Sequence, residues 1–378
     1  MSWKVPLFKI YTDNEDIEQV SEVIISGMNW ATGPKIPEFE KKVADYTRMN
    51  YAVSFNSGTS ALHALLIAYG IGAGDEVIVP SFTFISTANS VKFVGAKPVF
   101  ADIESCTYGL NPEDIRKKIT DKTKAIMPIH VGGCPCRIEE IKEIAEESDL
   151  LLFEDAAESL GSMVNGRKVG TFGDSSMFSF CGPKVITTGE GGIIVTNSQD
   201  IFEKLKLLRS HGRADTKDYF STNEYMDYVS LGYNFRMSNI TAALGIAQMN
   251  KIDKAIEMRR SNSDYLTKKL NDEVEFVKTP CCPKGYYHLY QMYTIRAPNR
   301  DELMNYLSKK GIMAKVYFPP VHESHYYKNI LHYNTDLPIT NEMENCVLTL
   351  PMYPDLSREN MDYVVDCIKE FYVGIGLL

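Results

Sequence analysis

The sequence lacks an excess of basic residues, and it also lacks any long hydrophobic run. Its 378 residues include 40 Lys and Arg against 49 Asp and Glu, which gives a formal net charge of −9. Proteins that coat nucleic acid or anionic membranes need net positive charge, so both classes are excluded as overall functions. No stretch of about 18 apolar residues occurs, which excludes a membrane-spanning helix. Segment 1–16 lacks the charged and then apolar pattern of a signal peptide, so we expect a soluble, cytoplasmic protein.

The cysteines lack the spacing that is typical of a disulfide framework. Eight cysteines without CxxC repeats, in a chain of this length, do not predict a disulfide scaffold. His130, Cys134 and Cys136 lie close in sequence but lack a fourth ligand at zinc spacing, so we expect no metal site. Cys281 and Cys282, beside a proline, are interpreted as loop residues.

Seven short apolar runs alternate with helical patterns in the first half of the chain. Because they are apolar throughout, without strict alternation, they favour strands that are buried on both faces of a sheet. Between them, patterns such as 137–145 place isoleucines on one face of a helix. We predict an α/β fold in which residues 1–250 form a large domain, with a mostly parallel seven-stranded sheet flanked by helices. The runs lie at 51–55, 76–79, 98–101, 125–129, 150–153, 176–180 and 192–195.

The remainder of the chain has a different pattern. A helical stretch covers 240–270, and strands are predicted at 291–296 and 313–317 with a helix at 300–307 between them. We therefore predict a smaller α+β domain over 251–378. The polar, irregular segment 212–227 is predicted to be a mobile loop.

Three local patterns carry candidate chemistry. The segment NSGTS (56–60) follows an apolar run and opens a helix, where free N–H groups can hold a phosphate, although it is also compatible with an ordinary helix cap. Asp155 follows an apolar run, at the end of a strand where open α/β sheets bind ligands, although surface acids are an alternative. Lys184 stands in a Gly- and Pro-rich loop without acidic neighbours, whereas most lysines are simply exposed. Together, in this order, they are what pyridoxal phosphate (PLP) requires, namely a phosphate cradle, an acid for the pyridine nitrogen and a Schiff-base lysine.

Several motifs resemble those of the DegT-type nucleotide-sugar aminotransferases, a group within the aspartate aminotransferase fold. The similarity covers nearly the whole chain, and its most specific part is the string SFxxxKxxTTGEGG at 179–192. The other segments are TGP at 32–34, GTSAL at 58–62, PSFTF at 80–84, EDAA at 154–157, GYNFRM at 232–237 and FPPVH at 318–322.

The resemblance implies roles for individual residues around the cofactor. Lys184 matches the Schiff-base lysine and general base, and Asp155 matches the partner of the pyridine nitrogen. Phe84 matches the aromatic residue that stacks on the cofactor ring. The phosphate binders are matched by Gly58, Thr59, Ser60 and Ser179.

Two further positions have implied roles. Asn234 matches a residue that reaches the cofactor phosphate of the neighbouring subunit, which implies a homodimer with shared active sites. Glu158 occupies a position where many members have Gln or His near the hydroxyl of the cofactor, and a Glu there must be protonated or bonded to a donor.

The implied reaction is transfer of an amino group from L-glutamate to a nucleotide-linked keto-deoxysugar at C4, which cycles the cofactor between PLP and its amine form (PMP). Amination at C3 or of a ketocyclitol, a PLP-dependent ketosugar dehydratase and a non-catalytic PLP sensor are the alternatives. Lys184 argues against the dehydratase, where His usually replaces it. UDP, dTDP and GDP sugars are all compatible with the sequence. Candidate substrate contacts are Arg209, His211, Arg213 and His322.

Overall fold

The computed structural model of the protein describes residues 3–214, 223 and 225–377. These residues contain twelve strands: Tyr51–Phe55 (β1), Glu76–Pro80 (β2), Lys97–Ala101 (β3), Thr123–Ile126 (β4), Leu151–Asp155 (β5), Met163–Val164 (β6), Arg167–Lys168 (β7), Ser175–Ser179 (β8), Gly192–Thr196 (β9), Tyr286–Tyr287 (β10), Tyr293–Arg296 (β11) and Val347–Leu350 (β12).

The helices lie before, between and after these strands. Within the described residues they are Asn14–Ile25 (α1), Lys35–Thr47 (α2), Gly58–Ala68 (α3), Ser86–Phe93 (α4), Pro112–Lys118 (α5), Ile138–Glu147 (α6), Gln199–Arg209 (α7), Asn239–Asn250 (α8), Ile252–Glu273 (α9), Arg300–Lys309 (α10), Pro338–Cys346 (α11) and Arg358–Gly374 (α12). None of the helices in the described ranges combines the length and hydrophobicity needed to cross a membrane.

The large sheet has seven strands in the order β1-β9-β8-β5-β4-β2-β3. Its strands are parallel except for β9, which runs antiparallel to β1 and to β8. The strands are buried almost throughout because helices such as α3 and α6 cover the sheet. Each of the seven apolar runs contributes one of these strands, so the predicted α/β fold with a mostly parallel seven-stranded sheet is confirmed.

The C-terminal part of the chain has its own apolar core. The antiparallel pair β11–β12 packs with α9, α10 and α12 around buried side chains such as Leu266, Tyr293 and Ile368. The smaller α+β unit predicted from the sequence is therefore present. Two details differ from the prediction. The predicted helix 240–270 is divided into α8 and α9 at Lys251. The predicted strand 313–317 forms only an isolated bridge, between Lys315 and Thr349.

Cysteine pairing differs from the sequence-based expectation. A disulfide bond joins Cys106 to Cys281, which are 175 residues apart in the chain. A pair at this separation leaves no local spacing signal, and only the fold brings the two loops together.

Of the predicted mobile loop 212–227, residues 215–222 and 224 lie outside the described residues.

Candidate active site

The carboxyl ends of three strands of the large sheet converge on one cavity. Strands β1, β5 and β8 point the same way, so the segments after Phe55, Asp155 and Ser179 meet at one edge of the sheet. This edge is where open α/β sheets bind ligands. The cavity has a volume of about 430 Å³, and residues of the C-terminal part form its other wall.

The first turn of α3 forms an anion cradle at one end of the cavity. Ser57 caps the helix by accepting a hydrogen bond from the Ser60 amide, whereas the amides of Gly58 and Thr59 bond to no described residue. A Cβ at Gly58 would lie 3.1 Å from Met177 Sδ and 3.3 Å from Ser179 Cβ, so the glycine lets the end of β8 approach the helix. Two free amides at a helix N-terminus, with the Ser179 side chain beside them, suit a phosphate group.

Asp155 ends β5 as a buried acid that lines the same cavity. Thr87 donates a hydrogen bond to its Oδ2 at 2.8 Å, and the Ala157 amide donates to its Oδ1 at 3.2 Å. The pKa of Asp155 is raised by burial, and the hydrogen bonds from Thr87 and Ala157 and the charge of Lys184 oppose that rise only in part. A buried carboxyl with so few cationic neighbours fits a protonated ring nitrogen as its partner.

Lys184 and Glu158 form a pair within the cavity. Lys184 Nζ lies 3.1 Å from Glu158 Oε1, and the Gly132 amide donates to Glu158 Oε2 at 2.7 Å. Glu158 is almost fully buried and so holds the lysine amine at a fixed place in the cavity. The requirement that Glu158 be bonded to a donor is therefore met by Lys184 and Gly132 in this structure.

Aromatic residues border the cavity between these polar groups. Phe84 is 55% exposed although it lines the cavity, and its ring centroid lies 5.9 Å from that of Phe318. An exposed ring beside a buried acid and a lysine leaves an apolar face for a flat heteroaromatic ring. Tyr317 also lines the cavity, and its pKa is raised by burial and by the negative charge of Glu158.

The structure therefore brings together most of the predicted cofactor residues. Gly58, Thr59, Phe84, Asp155, Glu158, Ser179 and Lys184 all line this cavity. Their arrangement fits PLP, because the amides at the α3 N-terminus can hold its phosphate, Asp155 its ring nitrogen and Lys184 its aldehyde carbon.

Six of the predicted site residues lie outside this cavity, and three of them are Ser60, His322 and Asn234. Ser60 is buried behind the cradle, where its hydroxyl bonds to Asn56 and to the Ser57 carbonyl, so Ser57 takes the place at the cavity that was predicted for it. His322 is buried away from the cavity, with Nδ1 2.6 Å from Ser81 Oγ. Asn234 is exposed outside the cavity, on the segment whose Phe235 carbonyl accepts from the Asn56 amide.

The predicted arginine contacts lie in a second cavity of about 800 Å³. Arg209 and Arg213 line it together with Arg236 and the segment 32–34. Arg209 already forms an ion pair with Glu40 and donates to the Ser54 carbonyl, so it also braces β1 against α2. His211 lies next to this cavity and is exposed, with a left-handed backbone at φ +62°.

His130 and Cys136, which lie close in sequence, form contacts within a buried cluster. His130 Nε2 lies 3.1 Å from Glu154 Oε2, and its Nδ1 accepts from the Cys136 amide at 3.1 Å. These contacts place the ring proton on Nε2, where it donates to Glu154. Among the residues that the structure describes, no group of three or more His, Cys, Asp or Glu side chains is arranged to hold a metal ion.

Several cavity residues were not found by sequence reasoning. Ser57 lies in the predicted phosphate segment and Glu190 in the SFxxxKxxTTGEGG motif, but neither is among the predicted site residues. Gln291, Lys315 and Tyr317 come from the C-terminal part and have no local chemical signal, whereas Phe318 is the first residue of the FPPVH segment. Only the packing of that part against the sheet edge brings them to the cavity.

Comparisons with known proteins agree with this geometry. The GDP-perosamine synthase of Escherichia coli O157:H7 is 38% identical over 371 residues, covering 97% of this chain and 98% of that protein. The Helicobacter pylori aminotransferase PseC, involved in pseudoaminic acid biosynthesis, superposes with a TM-score of 0.92 at 27% identity, over 99% of this chain and 100% of that one. A Streptococcus pneumoniae protein described as a sugar aminotransferase, in its PLP form, has a TM-score of 0.90 at 25% identity, over 100% of this chain and 99% of that one.

The family comparison covers almost the whole chain. Residues 11–369 match the DegT/DnrJ/EryC1/StrS aminotransferase family, which confirms the predicted family and the transaminase class. The cavity at the sheet edge, with its lysine, buried acid and phosphate cradle, is what such an enzyme requires. The chain therefore belongs to the DegT/DnrJ/EryC1/StrS aminotransferase family.

Proposed function

We propose that this enzyme transfers an amino group from L-glutamate to C4 of a nucleotide-linked keto-deoxysugar, and that GDP is the nucleotide. The observation that carries the proposal is the convergence of Lys184, Asp155 and the free amides of Gly58 and Thr59 on one cavity. The 38% identity to a GDP-perosamine synthase supports a sugar acceptor and favours GDP. The predicted cytoplasmic location stays a prediction.

The cofactor is pyridoxal phosphate, which supplies an aldehyde carbon and an electron-withdrawing ring. Gly58, Thr59 and Ser179 would hold its phosphate, and Phe84 would offer an apolar face to its ring. Asp155, as an anion, would hold the proton on the ring nitrogen and so keep the ring electron-withdrawing.

Lys184 moves the proton in this proposal. With the cofactor bound, its Nζ would act as the general base that takes the proton from the donor Cα and returns it to the cofactor carbon, two bonds away across the nitrogen. Glu158 accepts a hydrogen bond from Lys184 Nζ at 3.1 Å, so it keeps the amine close to that carbon. The loop that carries Lys184 is held in turn by Gln291, whose amide nitrogen donates to the Pro183 carbonyl.

A homodimer with shared active sites is part of the proposal. Asn234 is exposed, and large apolar side chains that precede it on the same segment are exposed as well, namely Tyr228, Val229 and Leu231. Apolar surface of this kind marks interfaces in proteins. With a second subunit on this face, Asn234 and the arginines of the second cavity supply contacts to the phosphates of the neighbouring site.

Substitution of the lysine tests the proposed function directly. Lys184→Ala removes the amine that bonds the cofactor and moves the proton, so we expect at least about a thousandfold loss of amino transfer from L-glutamate. Lys168→Ala is the matched control, because Lys168 lies outside the cavity over the ring of Tyr46. Amino transfer by Lys184→Ala at the wild-type rate would contradict the proposal.

A further inference from the structure

We propose that Lys315 is an anion-binding residue of the active-site cavity that holds an oxyanion of a substrate. This inference rests on the proposed function, which brings two anionic substrates to the cavity: an amino donor with carboxylates and a sugar with a diphosphate. The ligand chemistry is the same in both cases, and the experiment below distinguishes the two sources.

The charges that line the cavity make Lys315 stand out. Among the described residues around it, the charged side chains are Asp155, Glu158, Lys184, Glu190 and Lys315. Lys184 is paired with Glu158, whereas Lys315 forms no ion pair with any described residue. The three acids leave Lys315 as the lysine in this set that is available to attract an anionic substrate.

The backbone fixes where Lys315 stands. Its amide donates to the Thr349 carbonyl at 3.1 Å, and the Thr349 amide donates back at 2.8 Å, so it extends the edge of β12. Its Nζ lies 4.8 Å from the centroid of the Tyr317 ring. Lys315 and Tyr317 line the same cavity as the Lys184–Glu158 pair, so this cation belongs to the site that holds the pair.

The surroundings strengthen an anion contact at this position. Lys315 is exposed, and the apolar residues Leu7, Phe8, Met292, Leu350 and Met352 line the same cavity, so a charge contact inside the cavity is less screened than one on an open surface.

Gln291 gives an independent indication that a polar ligand belongs here. The residue is 6% exposed and lines the cavity, and its Oε1 accepts no hydrogen bond from any residue that the structure describes. Because its amide nitrogen is committed to the Pro183 carbonyl, Oε1 is left as an acceptor. A buried acceptor without a partner is unfavourable, and a ligand with an N–H or O–H group beside its anionic group would satisfy both residues.

The test uses the holoenzyme with Lys315→Met, which keeps the chain length without the charge, and Lys315→Arg, which restores the charge. Lys4→Met is the matched control, because Lys4 also lies over a tyrosine ring, at 3.3 Å from the centroid of Tyr363, but outside the cavity. The two half-reactions are followed separately by absorption, with L-glutamate and with a nucleotide-linked ketosugar. Equilibrium binding of two unreactive ligands, glutarate and GDP, is measured in parallel.

We expect Lys315→Met to weaken the binding of glutarate, of GDP or of both by about tenfold. Lys315→Arg should restore that binding to within about threefold of the wild type. Weaker binding of glutarate and slower reaction with L-glutamate assign the carboxylate of the donor, whereas weaker binding of GDP and of the ketosugar assigns the phosphate. The inference would be overturned if Lys315→Met bound glutarate and GDP as tightly as the wild type does. It would also be overturned if Lys315→Arg did not recover the lost binding. If the wild type binds glutarate or GDP but does not react with L-glutamate, the proposed function fails while the effect of Lys315 on binding is still measured.

Discussion

Asp155 shows how a single buried residue can be prepared for a cofactor. Its carboxyl is 2% exposed, and its oxygens bond to the Thr87 hydroxyl and the Ala157 amide. Thr87 Oγ1 in turn lies 2.8 Å from Thr83 Oγ1, so a chain of buried hydroxyls leads to the acid. Because burial raises the pKa of Asp155, these donors are needed to favour its anionic form.

Thr87→Val should therefore lower activity through the charge state of Asp155. The variant keeps the side-chain shape but removes a donor that lowers the pKa of Asp155, so this pKa rises further. The anion is the active form and is populated above its pKa, so the acid limb of the pH–rate profile should move to higher pH. We expect kcat to fall by about tenfold at neutral pH, with KM for the donor little changed.

Thr87→Ser is the matched variant, because it keeps the hydroxyl and loses only a methyl group. Its pH profile should overlay that of the wild type. An unshifted acid limb in Thr87→Val would show that Thr87 serves only packing.

At the scale of elements, Glu154 links β5 to the two loops beside it. Its carboxylate accepts from the amides of Gly170, Phe172 and Gly173 at 2.6 to 2.8 Å and from His130. Burial alone would raise the pKa of Glu154, but the hydrogen bonds from His130 and the backbone amides hold it below its ordinary value. The loop that carries His130 also carries Gly132, which bonds Glu158, so this buried cluster supports the active site.

Glu154→Gln should lower the free energy of unfolding by about 2–4 kcal/mol at neutral pH, since an amide group cannot accept all of these donors. A lowered pKa means that the contribution of Glu154 is present above the ordinary glutamate pKa of 4.5 and is lost as pH falls through the lowered value. The difference between variant and wild type should therefore shrink in acid. Denaturant unfolding at neutral and acidic pH measures both effects.

Glu147→Gln provides the comparison, because Glu147 pairs with Arg116 on the exposed surface. It should change the free energy of unfolding by less than about 0.5 kcal/mol. Equal effects from the two substitutions would contradict the role of the buried cluster.

The sequence allowed the large sheet to be predicted because strands buried on both faces are apolar throughout. Each of the seven runs is a strand in the structure. The lysine, acid and phosphate segment were also predictable, because glycines, prolines and strand ends mark them locally.

The predicted strand at 313–317 and the unbroken helix over 240–270 were wrong because tertiary contacts decide them. Lys251, at the break, bonds to Asp16 of α1, and Lys315 pairs with the edge of β12 through its backbone. Gln291 and Lys315 reach the active site through the same long-range packing, which local patterns do not encode.

At the scale of the whole molecule, the disulfide bond joins loops that are far apart in sequence. Reduction of Cys106–Cys281 should lower the free energy of unfolding by about 2–4 kcal/mol, because it frees a long closed loop in the unfolded chain. Thermal unfolding of the wild type with and without reductant measures this difference in stability. The Cys106→Ser variant should have the same melting temperature under both conditions. Cys282→Ser, at the neighbouring free cysteine, should keep the difference. Loss of the difference in Cys282→Ser instead would contradict the pairing.

A shared active site in a homodimer predicts complementation between two inactive variants. In dimers that combine Lys184→Ala with Asn234→Ala subunits, one site regains both an intact lysine and an intact partner asparagine. Random mixing should therefore restore about a quarter of the wild-type activity. Activity no greater than that of the separate variants would contradict sharing through Asn234.

The central claim is that Lys184 holds pyridoxal phosphate and exchanges it with an amino donor. The most direct measurement is the visible absorption spectrum of the purified protein before and after addition of L-glutamate. We expect a band of the lysine-bound cofactor that disappears as the pyridoxamine form appears, and no such band in Lys184→Ala. The absence of any band in the wild type, even after pyridoxal phosphate is added, would contradict the account.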